Sequence, residues 1–212
     1  MKNIVVLISG SGSNLQAIID DTANDQHCRV VGVLSNKESA YGLERAKKAG
    51  IETAVIDHTR FDSRLAFDTA LIKQIEAWQA DLVVLAGFMR ILTNEFVQHF
   101  SGRLLNIHPS LLPKYKGTNT HQRALDAGDS EHGCTVHFVS EELDGGAPII
   151  QAATLIEQND TVDSLIHKVH QLEHQIYPIA VSWFASERIT LKSNRVYLDG
   201  SPLGETGYLY RA

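Results

Sequence analysis

Apolar and polar positions along the chain switch between two periods. Ile4-Val5-Val6-Leu7-Ile8 is a continuous apolar run of strand length, the pattern of a strand buried on both faces. After it, Leu15, Ile18 and Ile19 recur at helical spacing and predict a helix over 14–20. The alternation continues with a strand over 30–34, a helix over 43–49 stopped by Gly50, and a strand over 53–56. A long helix over 61–78, with Asp62 or Ser63 near its start, leads to strands over 82–86 and 104–107. The later pattern differs. Residues 134–139 and 148–155 read as strands separated by a loop over 140–147, 163–184 as a long helix, and 188–198 as a short hairpin turning at Lys192-Ser193-Asn194.

Strands alternating with helices predict an α/β fold: a Rossmann-like, mostly parallel sheet with helices on both faces, and a mixed or antiparallel C-terminal part. Right-handed crossovers gather the strand C-termini along one edge and place the site there. No repeat, low-complexity tract or linker interrupts the pattern. The expectation is one domain over 1–212, with halves over 1–100 and 101–212.

Composition narrows the function. With 43% hydrophobic and 21% charged residues in 212, the chain reads as an ordinary soluble globular protein. Its 19 Lys and Arg against 25 Asp and Glu, a formal charge of -6, disfavour a protein that coats nucleic acid or anionic membrane. Cys28 and Cys134 lie far apart and form no CxxC, which excludes a disulfide framework and a zinc ribbon. The run from Ile4 to Ile8 is too short for a secretory segment, and no stretch approaches the ~20 apolar residues of a membrane span. A cytoplasmic location is the simplest expectation.

Ser9-Gly10-Ser11-Gly12-Ser13-Asn14 lies between the first strand and the first helix. Free backbone N–H groups and the positive helix end suit an anion there, and glycine lets the backbone approach it closely. The dinucleotide fingerprint wants a third glycine where Leu15 stands, and an acid where Ser35-Asn36 stand. The ATPase loop is absent too. A monophosphate such as a sugar phosphate fits better than a dinucleotide; a tight turn with a capped helix is the plain alternative.

Leu104-Leu105-Asn106-Ile107-His108-Pro109-Ser110-Leu111-Leu112-Pro113 carries the most chemistry. Two polar residues two positions apart point the same way in extended backbone, and Pro109 ends strand pairing. Asn supplies a donor for a developing oxyanion, and His a donor or acid near neutral pH. Asp144, in Leu143-Asp144-Gly145-Gly146, is the candidate partner that would orient the imidazole.

Taken together, Gly12-Ser13-Asn14, Gly87-Phe88-Met89-Arg90-Ile91-Leu92, the Asn106 to Pro113 run and Leu143-Asp144-Gly145-Gly146 resemble the folate-dependent phosphoribosylglycinamide formyltransferases, in order and over nearly the whole chain. The resemblance implies the formyltransferase fold. It also implies transfer of a formyl group from 10-formyltetrahydrofolate, as cosubstrate, to the amine of 5'-phosphoribosylglycinamide in purine synthesis. Asn106, His108 and Asp144 would be catalytic. Gly12, Ser13 and Asn14 would hold the phosphate, and Glu173 the glycinamide part. Arg64, Met89, Arg90, Ile91, Leu92 and Asn106 would line the folate site. Residues 1–100 would then form the nucleotide and phosphate half, and 101–212 the catalytic and folate half. The family implies no metal, small-molecule substrates, no nucleic acid or membrane partner, and a monomer or weak homodimer.

Rival readings remain at this level. A formyltetrahydrofolate hydrolase shares the formyl-folate motif, as does the tRNA formyltransferase; the length leaves little room for the extra domains those relatives carry. His170-Gln171-Leu172-Glu173-His174 matches H-x-x-E-H, which makes a zinc hydrolase using His170 and His174 a remote alternative. A non-catalytic nucleotide-binding module would explain the glycine turn alone. Trp78 and Trp183 read as core or interface, Cys134 as buried and inert, and His121 and His137 as structural, with approach to the site as the alternative for both.

Overall fold

In the computed structural model, which describes residues 1–211, the chain divides into two compact units, Met1–Asn106 and Ile107–Ala212.

The first unit is built from β1 (Lys2–Ile8), α1 (Ser13–Thr22), β2 (Cys28–Ser35), α2 (Gly42–Lys48), β3 (Glu52–Val55), α3 (Arg64–Ala77), β4 (Leu82–Leu85), α4 (Asn94–His99) and the start of β5 (Leu104–His108). Its strands run in the order β3-β2-β1-β4-β5, with each of these pairings parallel. The apolar run of β1 explains its central place: Ile4 to Ile8 are all 0% exposed. Each such aliphatic side chain contributes about 1.5–3 kcal/mol on burial. The chain leaves β1 toward β2 and β3, then returns to β4 on the other side of β1. That reversal makes the C-terminal ends of β1 and β4 a topological switch point, where open α/β sheets bind ligands.

The long helix begins at Arg64, three residues later than the apolar spacing predicts, because Ser63 caps it by accepting from the Ala66 N–H at 3.1 Å. Phe67, Leu71 and Ile75 form its buried stripe. Helix α4 went unpredicted. It is only six residues long, too short for a periodic signal, and Thr93 caps it. Trp78 lies half-buried with its indole against Gly32, where a side chain would collide with the ring.

The second unit contains α5 (Thr120–Asp126), β6 (Glu131–Phe138), β7 (Pro148–Leu155), α6 (Val162–Ala185), β8 (Ile189–Lys192), β9 (Arg195–Leu198), β10 (Ser201–Pro202) and β11 (Tyr208–Tyr210). Antiparallel β6 and β7 and the parallel addition of β11 to β7 make the predicted mixed part. The predicted hairpin is β8–β9, extended by β10 into a small separate sheet. Helix α6 lies on β6 and β7 and buries Leu165, Val169, Ile176, Tyr177, Ala180 and Val181. Thr161 and Ser164 form a reciprocal capping box at its start, bonded at 3.2 and 2.9 Å. Among the described residues, no helix is long and apolar enough to cross a membrane.

Candidate active site

At the end of β1, Gly12 takes φ +69 and ψ 33 and stands at the N-cap of α1, with no side chain capping that helix. A Cβ at Gly12 would lie 2.6 Å from the Gly42 Cα, so the left-handed turn and its packing both require glycine. The Gly42 N–H donates to the Gly10 carbonyl at 3.0 Å, seating the start of α2 against the turn. Arg45 on α2 donates from Nε to the Ser11 carbonyl at 2.8 Å. A turn braced from outside, with an uncapped helix start, is suited to an anion. Arg45 is the part that sequence reasoning missed, because α2 holds several cations and nothing in the spacing singles one out.

The segment after β4 is held by buried side chains while Met89 and Ile91 face outward and Phe88, Arg90 and Leu92 are half-buried. Met89 is 73% and Ile91 64% exposed. The Met89 N–H donates to Ser9 Oγ at 2.8 Å, and the Ser9 hydroxyl donates to Asn36 Oδ1 at 2.6 Å. At the far end, Thr93 N–H donates to Asp68 Oδ2 at 2.6 Å. Burial raises the Asp68 carboxyl above the usual range, against the lowering effect of that N–H. Arg64 opens α3 one turn before Asp68.

In β5, Asn106 and His108 follow each other at the strand period. His108 is 5% exposed. Its Nδ1 lies 3.4 Å from Asp144 Oδ2, and its Nε2 donates to the Tyr115 carbonyl at 2.8 Å. Asp144 adopts φ +49, and its Oδ2 also accepts the Gly117 N–H at 2.9 Å. The predicted His108–Asp144 pair is therefore formed and nearly sealed from solvent. One feature differs from expectation: His108 Nε2 is engaged by a backbone carbonyl, so donation to an oxyanion requires that bond to be exchanged.

His137, read from sequence as structural, has Nε2 3.9 Å from Asp144 Oδ1. Its Nδ1 donates to the Phe138 carbonyl at 2.9 Å, which leaves Nε2 without a proton in the neutral ring. Burial, the leading cause, lowers His137 to about 4. Burial likewise lowers His121 to about 4, helped by His132, and lowers His132 itself. The signal for His137 was present only as alternation: Thr135 and His137 share one face of β6. Thr135 pins the turn after β5, donating to the Ser110 carbonyl at 2.7 Å and accepting from Leu112 N–H at 3.1 Å. Gln151 adds a bond from Nε2 to the Leu112 carbonyl at 2.7 Å.

Glu173 is 4% exposed on the packed side of α6, and its charge adds to the burial that raises the Cys134 thiol. His170 and His174 stack with centroids 6.3 Å apart, and His170 is exposed. Among the described residues no three His, Cys, Asp or Glu side chains stand together as metal ligands would.

The model of the family described as formyl transferase matches residues 2–181. A phosphoribosylglycinamide formyltransferase of Escherichia coli (strain K12) is 54% identical over 207 residues, covering 97% of this chain and 98% of that protein. Its Haemophilus influenzae counterpart is 50% identical over 209 residues, covering 98% and 99%. The solved phosphoribosylglycinamide formyltransferase of Coxiella burnetii superposes with TM-score 0.95 at 50% identity, over 99% of each chain.

Proposed function

This chain belongs to the formyl transferase family, and we propose that it moves a formyl group from 10-formyltetrahydrofolate to the amine of 5'-phosphoribosylglycinamide, in purine synthesis. The products are the N-formyl ribonucleotide and tetrahydrofolate. The observation that carries the reading is the buried His108–Asp144 pair, on the strand that also holds Asn106, in a chain this similar to enzymes of that name.

The chemistry follows from the groups. An α-amino-like acceptor has a pKa of about 8, so a useful fraction is neutral near pH 7.5 without a strong base. Its nitrogen lone pair attacks the formyl carbon and the carbonyl π electrons move to oxygen. Asn106 Nδ2 and the His108 ring donate to that oxyanion, His108 after releasing the Tyr115 carbonyl. As the oxyanion collapses, the bond to the folate nitrogen breaks. Asp144, acting through a water, takes the proton from the attacking nitrogen and delivers it to the departing one.

Gly12, Ser13 and Asn14 hold the acceptor's phosphate through backbone donors and the start of α1, and Glu173 holds its glycinamide part. Arg64 and Met89 to Leu92, with Asn106, take the folate, the exposed apolar side chains suiting a flat heteroaromatic ring. The protein acts as a cytoplasmic monomer or weak homodimer on small molecules, with no metal in the reaction. The test is release of deformylated folate with and without phosphoribosylglycinamide. Acceptor-dependent release supports the transferase; equal release without acceptor replaces it with the formyl-folate hydrolase.

A further inference from the structure

We propose that Ser9 and Asn36 are positioning residues for the donor-binding segment Met89 to Leu92, and that they lock it to the turn that holds the acceptor's phosphate. This rests on the assignment of those two segments above.

The three polar groups involved come from the ends of three neighbouring strands, in the order β2-β1-β4. Ser9 follows β1, Asn36 follows β2, and Met89 stands just beyond β4. Ser9 is 7% and Asn36 1% exposed, so water does not compete for their bonds. A hydroxyl has one proton. Ser9 spends it on Asn36 Oδ1, at 2.6 Å, which turns an oxygen lone pair toward the Met89 N–H at 2.8 Å. The amide of Asn36 is oriented in turn, with Nδ2 3.3 Å from His58 Nδ1 and Oδ1 left for Ser9. The relay therefore has a direction, and each member fixes the next.

The need for such a relay lies in the exposure of Met89 and Ile91. Side chains kept open for a ligand have little packing to hold their backbone in place. Here the backbone is pinned instead, at Met89 by Ser9 and at Thr93 by Asp68. Ser9 is also the residue from which the glycine turn departs, so one side chain references both binding segments to the end of β1. Asn36 stands where a dinucleotide site would carry its ribose-binding acid, and its oxygen is committed inward.

The experiment compares Ser9→Ala, Asn36→Ala and the double variant with wild type, each checked for cooperative unfolding. Amide exchange at Met89 in the ligand-free protein reads the positioning directly, and steady-state kinetics read its consequence. Ser9→Ala is expected to speed Met89 exchange and raise KM for the formyl donor on the order of 5- to 100-fold, with kcat within about twofold. The double variant should be no worse than Ser9→Ala, because both break one relay. Unchanged Met89 exchange overturns the proposal. So does a loss in kcat at constant KM, or additive effects in the double variant. A wild-type protein with no acceptor-dependent transfer instead overturns the function, and Met89 exchange alone then decides the positioning. Should Ser9→Ala fail to unfold cooperatively, Asn36→Ala carries the same comparison.

Discussion

The glycine turn and the cluster around Asp144 prepare for chemistry in opposite ways. From Ser9 to Asn14 the chain carries no titratable side chain. What that turn offers is backbone shape: a left-handed Gly12, an uncapped helix start and a brace from Arg45. Around Asp144 the working parts are side chains taken almost completely out of water, His108 at 5% and His137 at 2% exposed. Backbone donors cost little to bury when their geometry is satisfied locally, and they do not change with pH. The His137 imidazole does change: burial penalises its charged form and holds it down to about 4. The turn is thus suited to constant recognition, and the cluster to moving protons at some cost in stability at low pH.

The largest effect expected from breaking this contrast is at Asp144. Asparagine tolerates the φ of +49 found there, so Asp144→Asn should preserve the backbone while removing the proposed proton carrier. Turnover is expected to fall about 10²- to 10⁴-fold. Near-normal turnover would sink the assignment of Asp144. Next is Gly12→Ala, where strain at φ +69 and the 2.6 Å approach to Gly42 act together. It should lower unfolding free energy by about 1–3 kcal/mol and raise KM for the ribonucleotide more than it lowers kcat. Denaturant melts and a substrate titration separate those two effects.

A third test uses pH. His137 and His121 sit near 4 in the folded protein, below the ordinary 6.5. Between those values the unfolded chain binds protons that the folded one refuses. Their contribution to stability is therefore fully present above about 6.5 and is lost as pH falls toward about 4. Urea midpoints should decline across that window, and His137→Asn should flatten the decline. A profile left unchanged by that substitution would remove His137 from the account. The smallest effect is at the surface. Lys116 bonds Glu142 at 2.7 Å, with side-chain exposures of 36% and 70%. Lys116→Ala should shift unfolding by no more than about 1 kcal/mol, measured in the same urea series.

Much of the fold was legible because its elements are locally encoded. The apolar run of β1, the stripes of α3 and α6, and the hairpin at Ser193-Asn194 each carry their period in adjacent residues. Helix α5 and strand β11 were not legible. The first buries only Thr120 and Ala124, too little to set an apolar period, and the second is three residues whose pairing partner, Ile150 to Ala152, is remote in sequence. The candidate site divides similarly. Gly12, Asn106, His108 and Asp144 announce themselves through motif and spacing. Ser9, Asn36, Asp68 and His137 do not, because an isolated polar residue at a strand end looks the same whether it faces solvent or a buried partner.

Alternation of periods determined the α/β class, the place of the glycine turn at a strand end, and the shared facing of Asn106 and His108. These are properties of neighbouring residues, set by backbone geometry. The tertiary structure decided which distant groups meet: the His108–Asp144 pair, the engagement of His108 by the Tyr115 carbonyl, the lowered His137, and the bond from Met89 to Ser9. Hydrogen bonds and desolvation act over a few ångströms in space. They therefore depend on contacts that close only when strands far apart in the chain lie side by side.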